Sequence, residues 1–302
     1  MSNVLLGTAI GDALGVHFET KRADFQPLID WDGETYLGSD YHKLKPGQYS
    51  DDTQMSLMVS ESLINNSGFN PDDLASRYVN WYSSGKARGY GKTTEIAIKN
   101  LMSGKHWTES GVFGSLGNGT AMRAAPFGIF FRNDIYSLIN IIKIDSSITH
   151  RSEDAEAGAI AIGLTSAFAI NKDDEDLLDK IVSYLPNSKV KTILSSLDAM
   201  LHSEITPQQA LRVLGTKSNV VETVPSALYC YLKFDNYHDA VLTAIKAGGD
   251  TDTTAAIVGA LFGAKLGMKA IDKKFYSVED FELLVTMDSQ LYNRSNTEFL
   301  RR

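Results

Sequence analysis

Cysteine is almost absent: Cys230 stands alone in 302 residues, so no disulfide can form within the chain. A single thiol in the apolar stretch Ala227 to Leu232 fits a buried structural residue better than a nucleophile, and it suits a reducing, cytoplasmic setting. Proline is scarce too, at seven, which favours helices. No uninterrupted apolar run reaches the ~20 residues that a membrane span requires, so no membrane partner is expected. The apolar start, Met1 to Phe18, lacks a basic leader and carries Asp12 inside it, which argues against a signal peptide. Excess positive charge is also missing. A net charge of −8 makes a nucleic-acid backbone a poor general partner, although metals or backbone amides could still recognise a phosphorylated small molecule.

The 43% hydrophobic and 22% charged residues that remain are those of a soluble globular chain, long enough to bury a substantial core. Apolar residues recur at helical spacing. The pattern predicts helices over Met55–Ile64, Leu74–Trp81, Ile135–Ile144, Glu153–Ile170, Asp173–Leu185, Val190–Leu201, Pro207–Leu214, Val221–Phe234, His238–Lys246 and Thr253–Leu266. Asn70-Pro71 and Thr206-Pro207, with Gln209 three residues beyond Thr206, read as capped helix starts. Only Glu34 to Leu44 and a few short pieces look extended. No repeat, low-complexity tract or long linker divides the chain. The expectation is an all-α fold in a single compact multi-helix domain, 1–302. Small residues stud its first segment (Gly7, Ala9, Gly11, Ala13, Gly15) and its last predicted helix (Ala255, Ala256, Gly259, Ala260, Gly263, Ala264), a spacing that implies close backbone approach between buried helices.

Two acidic turns open helical segments far apart in the chain: Ser50-Asp51-Asp52-Thr53 and Asp250-Thr251-Asp252-Thr253. Taken singly, each reads as an N-cap, a hydroxyl or carboxylate set against orphan amides at the positive end of a helix. Taken together they offer only hard oxygen donors, which suit Mg²⁺ or Mn²⁺ rather than zinc. If the fold unites them, their charge calls for cations. A glycine-rich stretch, Gly111 to Gly128, leads to a predicted helix start at Thr120 whose amides could face an anion such as a diphosphate. It is neither a Walker loop nor a dinucleotide fingerprint. Arg123 suits either a phosphate or a neighbouring acid. Ser152 reads as a helix cap, His150 as a structural residue or a ligand contact, and Gly85–Lys92 as a flexible basic loop or solvated surface. The run Lys172 to Asp179 reads as a solvated helix face, and Trp31, Trp81 and Trp107 as packing residues.

In order along the chain, Gly7-Thr-Ala-Ile-Gly-Asp-Ala-Leu-Gly-Val-His-Phe-Glu19, Ser50-Asp-Asp-Thr-Gln54, Gly117-Asn-Gly-Thr-Ala-Met-Arg-Ala-Ala-Pro126, Thr149-His150 and Ala247-Gly-Gly-Asp-Thr-Asp-Thr-Thr254 resemble the ADP-ribosylglycohydrolase family, including the dinitrogenase-reductase-activating glycohydrolases. The motifs fall between residues 5 and 260. The resemblance implies an all-α hydrolase with two Mg²⁺ or Mn²⁺ ions that removes ADP-ribose from a protein side chain or another acceptor. By position it implies Ser50, Asp51, Asp52, Asp250, Asp252 and Thr253 as metal ligands, with Glu19 and Asp52 as catalytic candidates. It also implies Gly117, Asn118, Gly119, Thr120, Met122 and His150 as substrate contacts. The family often has Thr where Ser50 stands; the hydroxyl is kept. An ADP-ribosylated protein, a small-molecule conjugate and nucleic-acid-linked ADP-ribose are all admissible substrates. A non-catalytic ADP-ribose-binding module and a metal-dependent phosphohydrolase acting on a pyrophosphate are the alternatives. Met268 to Arg302 carries no motif of the family and is left to shape a substrate rim or a contact surface.

Overall fold

The structure, a computed structural model, describes residues 2–299, with side chains through residue 294. Seventeen α-helices account for nearly all the regular structure among these residues. The rest is two short 3-10 helices, Gly267–Ala270 and Lys273–Ser277, and a two-residue parallel pair, Val112–Phe113 beside His150–Arg151. Its register, Val112 opposite His150, fixes the glycine-rich stretch alongside the histidine.

Two helices form the centre: Val4–Gly15, buried throughout, and Thr251–Leu266, buried from Thr251 to Ala264. Both are apolar around most of their circumference, as a helix enclosed on every side must be. They run antiparallel at a separation that excludes side chains between them. A Cβ on Gly7 would lie 2.1 Å from Gly259 O, and one on Gly11 would lie 2.1 Å from Ala255 O. The pairing continues to Gly15 and Thr251, whose hydroxyl donates to Gly15 O at 2.8 Å. The C-terminal end of the first helix therefore meets the N-terminal end of the last central one. Helices Asp51–Asn66 and Phe281–Phe299 pack on the first helix, and Glu153–Asn171, Val220–Lys233 and Tyr237–Lys246 on the other.

The expected caps form at Asn70, Ser152 and Thr206, the last as a complete capping box. Several expected elements differ. Val190–Leu201 breaks into Lys189–Leu194 and Leu197–Leu201, because the hydroxyls of Ser195 and Ser196 donate back to the carbonyls of Lys191 and Ile193. Asp173–Leu185 shortens to Leu177–Tyr184, since Lys172 ends the preceding helix in the left-handed region and exposed acids follow. The stretch from Thr120 is a series of turns, and the helix begins at Ala125. Glu34–Leu44 forms no strand, only an isolated bridge between Ser39 and Leu44. No helix among the described residues is long and apolar enough to cross a membrane.

Candidate active site

The two acidic turns meet. Thr253 Oγ1 lies 3.3 Å from Asp52 Oδ2, on which Ser50 Oγ also converges at 3.0 Å. Their approach follows from the central helix pair and from Asp12 near the end of the first helix. The fully buried Asp12 carboxylate accepts from Ser50 N at 2.9 Å, Thr53 N at 3.1 Å and Thr53 Oγ1 at 2.7 Å. Asp12 thus caps the Asp51–Asn66 helix from another segment and ties the first turn to the central pair. In the sequence Asp12 is an acid inside an apolar, small-residue segment and part of the first family motif, with no role assigned to it.

The second turn is shaped by Gly248 and Gly249, both with positive φ (72° and 83°). A Cβ on Gly249 would collide with Thr216 O, which instead accepts from Asp250 N at 2.7 Å. Asp250 occupies the N-cap position without capping; its carboxylate turns aside to Asn118 Nδ2 at 2.5 Å. Backbone bonds from Thr20 N to Gly249 O and from Gly249 N to Lys21 O clamp the Glu19 segment to the same turn.

These groups line one end of a cavity of about 630 Å³. Its lining includes Glu19, Asp51, Asp52, Asp250, Asp252 and Thr253 together with Gly117, Asn118, Gly119, Met122 and His150. Of the remaining expected residues, Ser50 sets its hydroxyl on Asp52 at 3.0 Å, within the same acidic turn, and buried Thr120 donates to Ala155 O at 3.0 Å. Phe113, Ser115, Leu116 and Asn219 join the lining without having been singled out in the sequence. Phe113, Ser115 and Leu116 flank the glycines, Asn219 bridges to Gly117 from another segment, and no residue type marked them.

Electrostatics at this end are unfavourable for bare carboxylates. Burial, followed by mutual repulsion, holds Asp51, Asp52 and Asp252 well above the usual carboxylate range. Burial pushes Asp12 and Asp250 up to about 6 against the opposing pull of their hydrogen bonds. Oxygens of Asp12, Asp52 and Asp252 lie within 4.8 Å of one another. Asp52 Oδ1 and Asp252 Oδ1 are buried and accept no hydrogen bond among the described residues. Unsatisfied, converging oxygen donors of this kind fit hard divalent cations. At the other side, burial and then the Arg123 charge push His150 down to about 3, so its imidazole is neutral. It packs against the loop so closely that a Cβ on Gly117 would lie 2.8 Å from its Nε2.

Arg123 is not a phosphate ligand. Fully buried, it pairs with Asp145 at 3.0 Å and donates to Gly119 O at 2.7 Å and Thr149 Oγ1 at 2.9 Å, so it braces the loop from behind. Gly85–Lys92 is more than solvated surface. Arg88 pairs with Glu279, and Gly89 packs against Ser50 and Asp51. Through Glu279 the segment after Met268 braces the first turn, although residues 300–302 lie outside the described residues.

A helical domain whose two acidic turns meet at one end of a cleft, with a glycine loop along it, defines a class of all-α proteins with a carboxylate-lined cleft. Within that class the chain belongs to the ADP-ribosylglycohydrolase family, whose model matches residues 2–299. It is 30% identical over 294 residues to an uncharacterized protein of Archaeoglobus fulgidus, covering 96% of this chain and 95% of that one. It is 27% identical to the ADP-ribosylarginine hydrolase Tri1 of Pseudomonas putida (88% and 70% covered). It is 28% identical to the ADP-ribosylhydrolase ARH3 of Danio rerio (88% and 82%). A solved ADP-ribosylglycohydrolase-related protein complex shares the fold, with a TM-score of 0.75 at 24% identity over 97% of this chain and 96% of that one.

Proposed function

We propose that this chain hydrolyses the glycosidic bond between ADP-ribose and an acceptor, with two Mg²⁺ or Mn²⁺ ions held by Ser50, Asp51, Asp52, Asp250, Asp252 and Thr253. The observation that carries the reading is the 3.3 Å contact between Thr253 and Asp52, which joins the two acidic turns at the end of a cavity lined by the glycine loop. Bound there, the cations would polarise ribose hydroxyls and make a water more acidic.

The chain's own residues supply the rest. Cleavage passes through an oxocarbenium-like state, whose positive charge the buried carboxylates favour. Glu19, at the cavity wall, accepts the proton of the attacking water or supports the leaving group; Asp52 is the second candidate for that role. The Gly117–Gly119 backbone approaches the ADP portion closely, and neutral His150 offers a hydrogen bond without adding charge. The acceptor could be arginine, serine, an acetyl group or a nucleic-acid end, since all share the ADP-ribose half.

A panel of these conjugates, assayed with Mg²⁺, Mn²⁺ or chelator, tests the reading. Free ADP-ribose should appear only with metal, and Asp252→Ala should abolish its release. Full activity in that variant would overturn the metal site, AMP as product would favour a phosphohydrolase, and binding without turnover would favour a non-catalytic reader.

A further inference from the structure

Glu19 has a partner from outside every motif considered so far. His42, in the 39–44 loop, directs Nε2 onto Glu19 Oε2. His42, Glu19 and Asp252 each place a polar side-chain atom within 4.8 Å of the others. We propose that His42 is a positioning residue for Glu19, holding its carboxylate at the cavity wall beside Asp252. The proposal rests on the reading of Glu19 as a catalytic group.

Two physical arguments support it. First, Glu19 follows the first helix in a tight turn, with Phe18 N bonded to Gly15 O and Thr20 at φ 67°. The turn fixes its backbone, but a glutamate side chain keeps several rotatable bonds and loses rotamer entropy when held. Second, Glu19 faces buried acids: it is among the charges that raise Asp51, Asp250 and Asp252. Repulsion drives its carboxylate outward, and its side chain is 21% exposed, so it has room to leave. A hydrogen-bonded imidazole opposes that motion.

The loop is built to hold the imidazole. Ser39 and Leu44 exchange two backbone bonds of 2.8 Å, and Lys43 takes the left-handed conformation that closes the turn. His42 N donates to Ser39 Oγ at 3.3 Å, and the exposed Tyr41 ring packs edge-on against the His42 ring at 4.6 Å. His17 Nδ1 and Gly38 O, 2.8 Å apart, tie the loop back to the segment carrying Glu19. His42 is left 10% exposed.

The test uses the full chain loaded with Mg²⁺ or Mn²⁺ and the ADP-ribosyl-arginine or ADP-ribosyl-serine peptide that the wild type cleaves. His42→Ala should lower kcat about 10–100-fold, the usual effect of losing an orienting partner. KM, calorimetric affinity for free ADP-ribose and the metal, and the melting temperature should stay near wild type. His42→Gln, whose amide can still donate to the carboxylate, should recover much of kcat. An unchanged kcat in His42→Ala would overturn the proposal, as would a joint fall of kcat, ligand affinity and melting temperature that His42→Gln does not reverse. Glu19→Gln separates the two claims: if it retains activity, the reading of Glu19 itself fails, whatever His42 does.

Discussion

At the scale of single residues, the site is held together by side chains that position one another. Asp12 caps a helix from another segment, Asn118 holds Asp250, and Arg123 spans Gly119, Asp145 and Thr149. In the sequence Arg123 lies within a glycine motif, where a phosphate contact and an ion pair read alike. Only the fold brings Asp145 to it, across a turn of the Ile135–Thr149 helix. The arrangement needs a planar fork with several fixed donors, which lysine lacks. Arg123→Lys should therefore lower stability by about 1–3 kcal/mol through unmade buried hydrogen bonds. Differential scanning fluorimetry would check it, and an unchanged melting temperature would place Arg123 among dispensable residues.

At the scale of elements, the central helix pair was legible because close packing leaves a compositional trace. Glycines spaced four apart on the first helix and small residues on the last announced backbone approach, although not which helix met which. Capping signals placed other helix starts well, for the local reason that side chain and amide are neighbours in sequence. Other elements left no such trace. Lys92–Met102 and residues 281–294 bury one face among many polar residues, and the first opens on Gly91 with no capping side chain to mark its start. His42 was invisible for a different reason: an irregular segment has no period to mark an inward-facing side chain. The helix pair makes a sharp prediction. In Gly11→Val the new Cβ would meet Ala255 O at 2.1 Å, so the helices must separate. Overpacking of this kind costs about 1–3 kcal/mol or more. Because the same helices carry Asp12 and the Asp250 turn, Mg²⁺ affinity measured by calorimetry should fall along with the melting temperature. A variant that is destabilised but binds metal normally would show that the turns are held independently of the pair.

At the scale of the whole molecule, the buried acids couple folding to protons and, on the proposed reading, to metal. Asp12 and Asp250 are pushed up to about 6 in the fold, above the 3.8 of a free aspartate, and Asp51, Asp52 and Asp252 shift in the same direction. Between about pH 4 and 6 the folded chain thus binds protons that the unfolded chain has released, so without metal this stabilisation is present at low pH and lost as pH rises through 6. Asp288, pushed up to about 8 by burial while accepting from Leu5 N and Leu6 N, acts in the same sense over a wider window. It lies at the far end of the first helix from the acidic turns, so cations bound there would leave its contribution in place. Divalent cations bound as proposed would displace protons from the cluster, so their stabilisation should grow as pH rises. Chelator-treated protein should therefore melt at a higher temperature at pH 5 than at pH 7.5, and millimolar Mg²⁺ or Mn²⁺ should raise the melting temperature more at pH 7.5 than at pH 5. Asp288→Asn should flatten the metal-free trend above pH 6 and leave the metal-induced difference intact. A metal-induced shift equal at both pH values would mean that the cations bind somewhere other than the buried carboxylates.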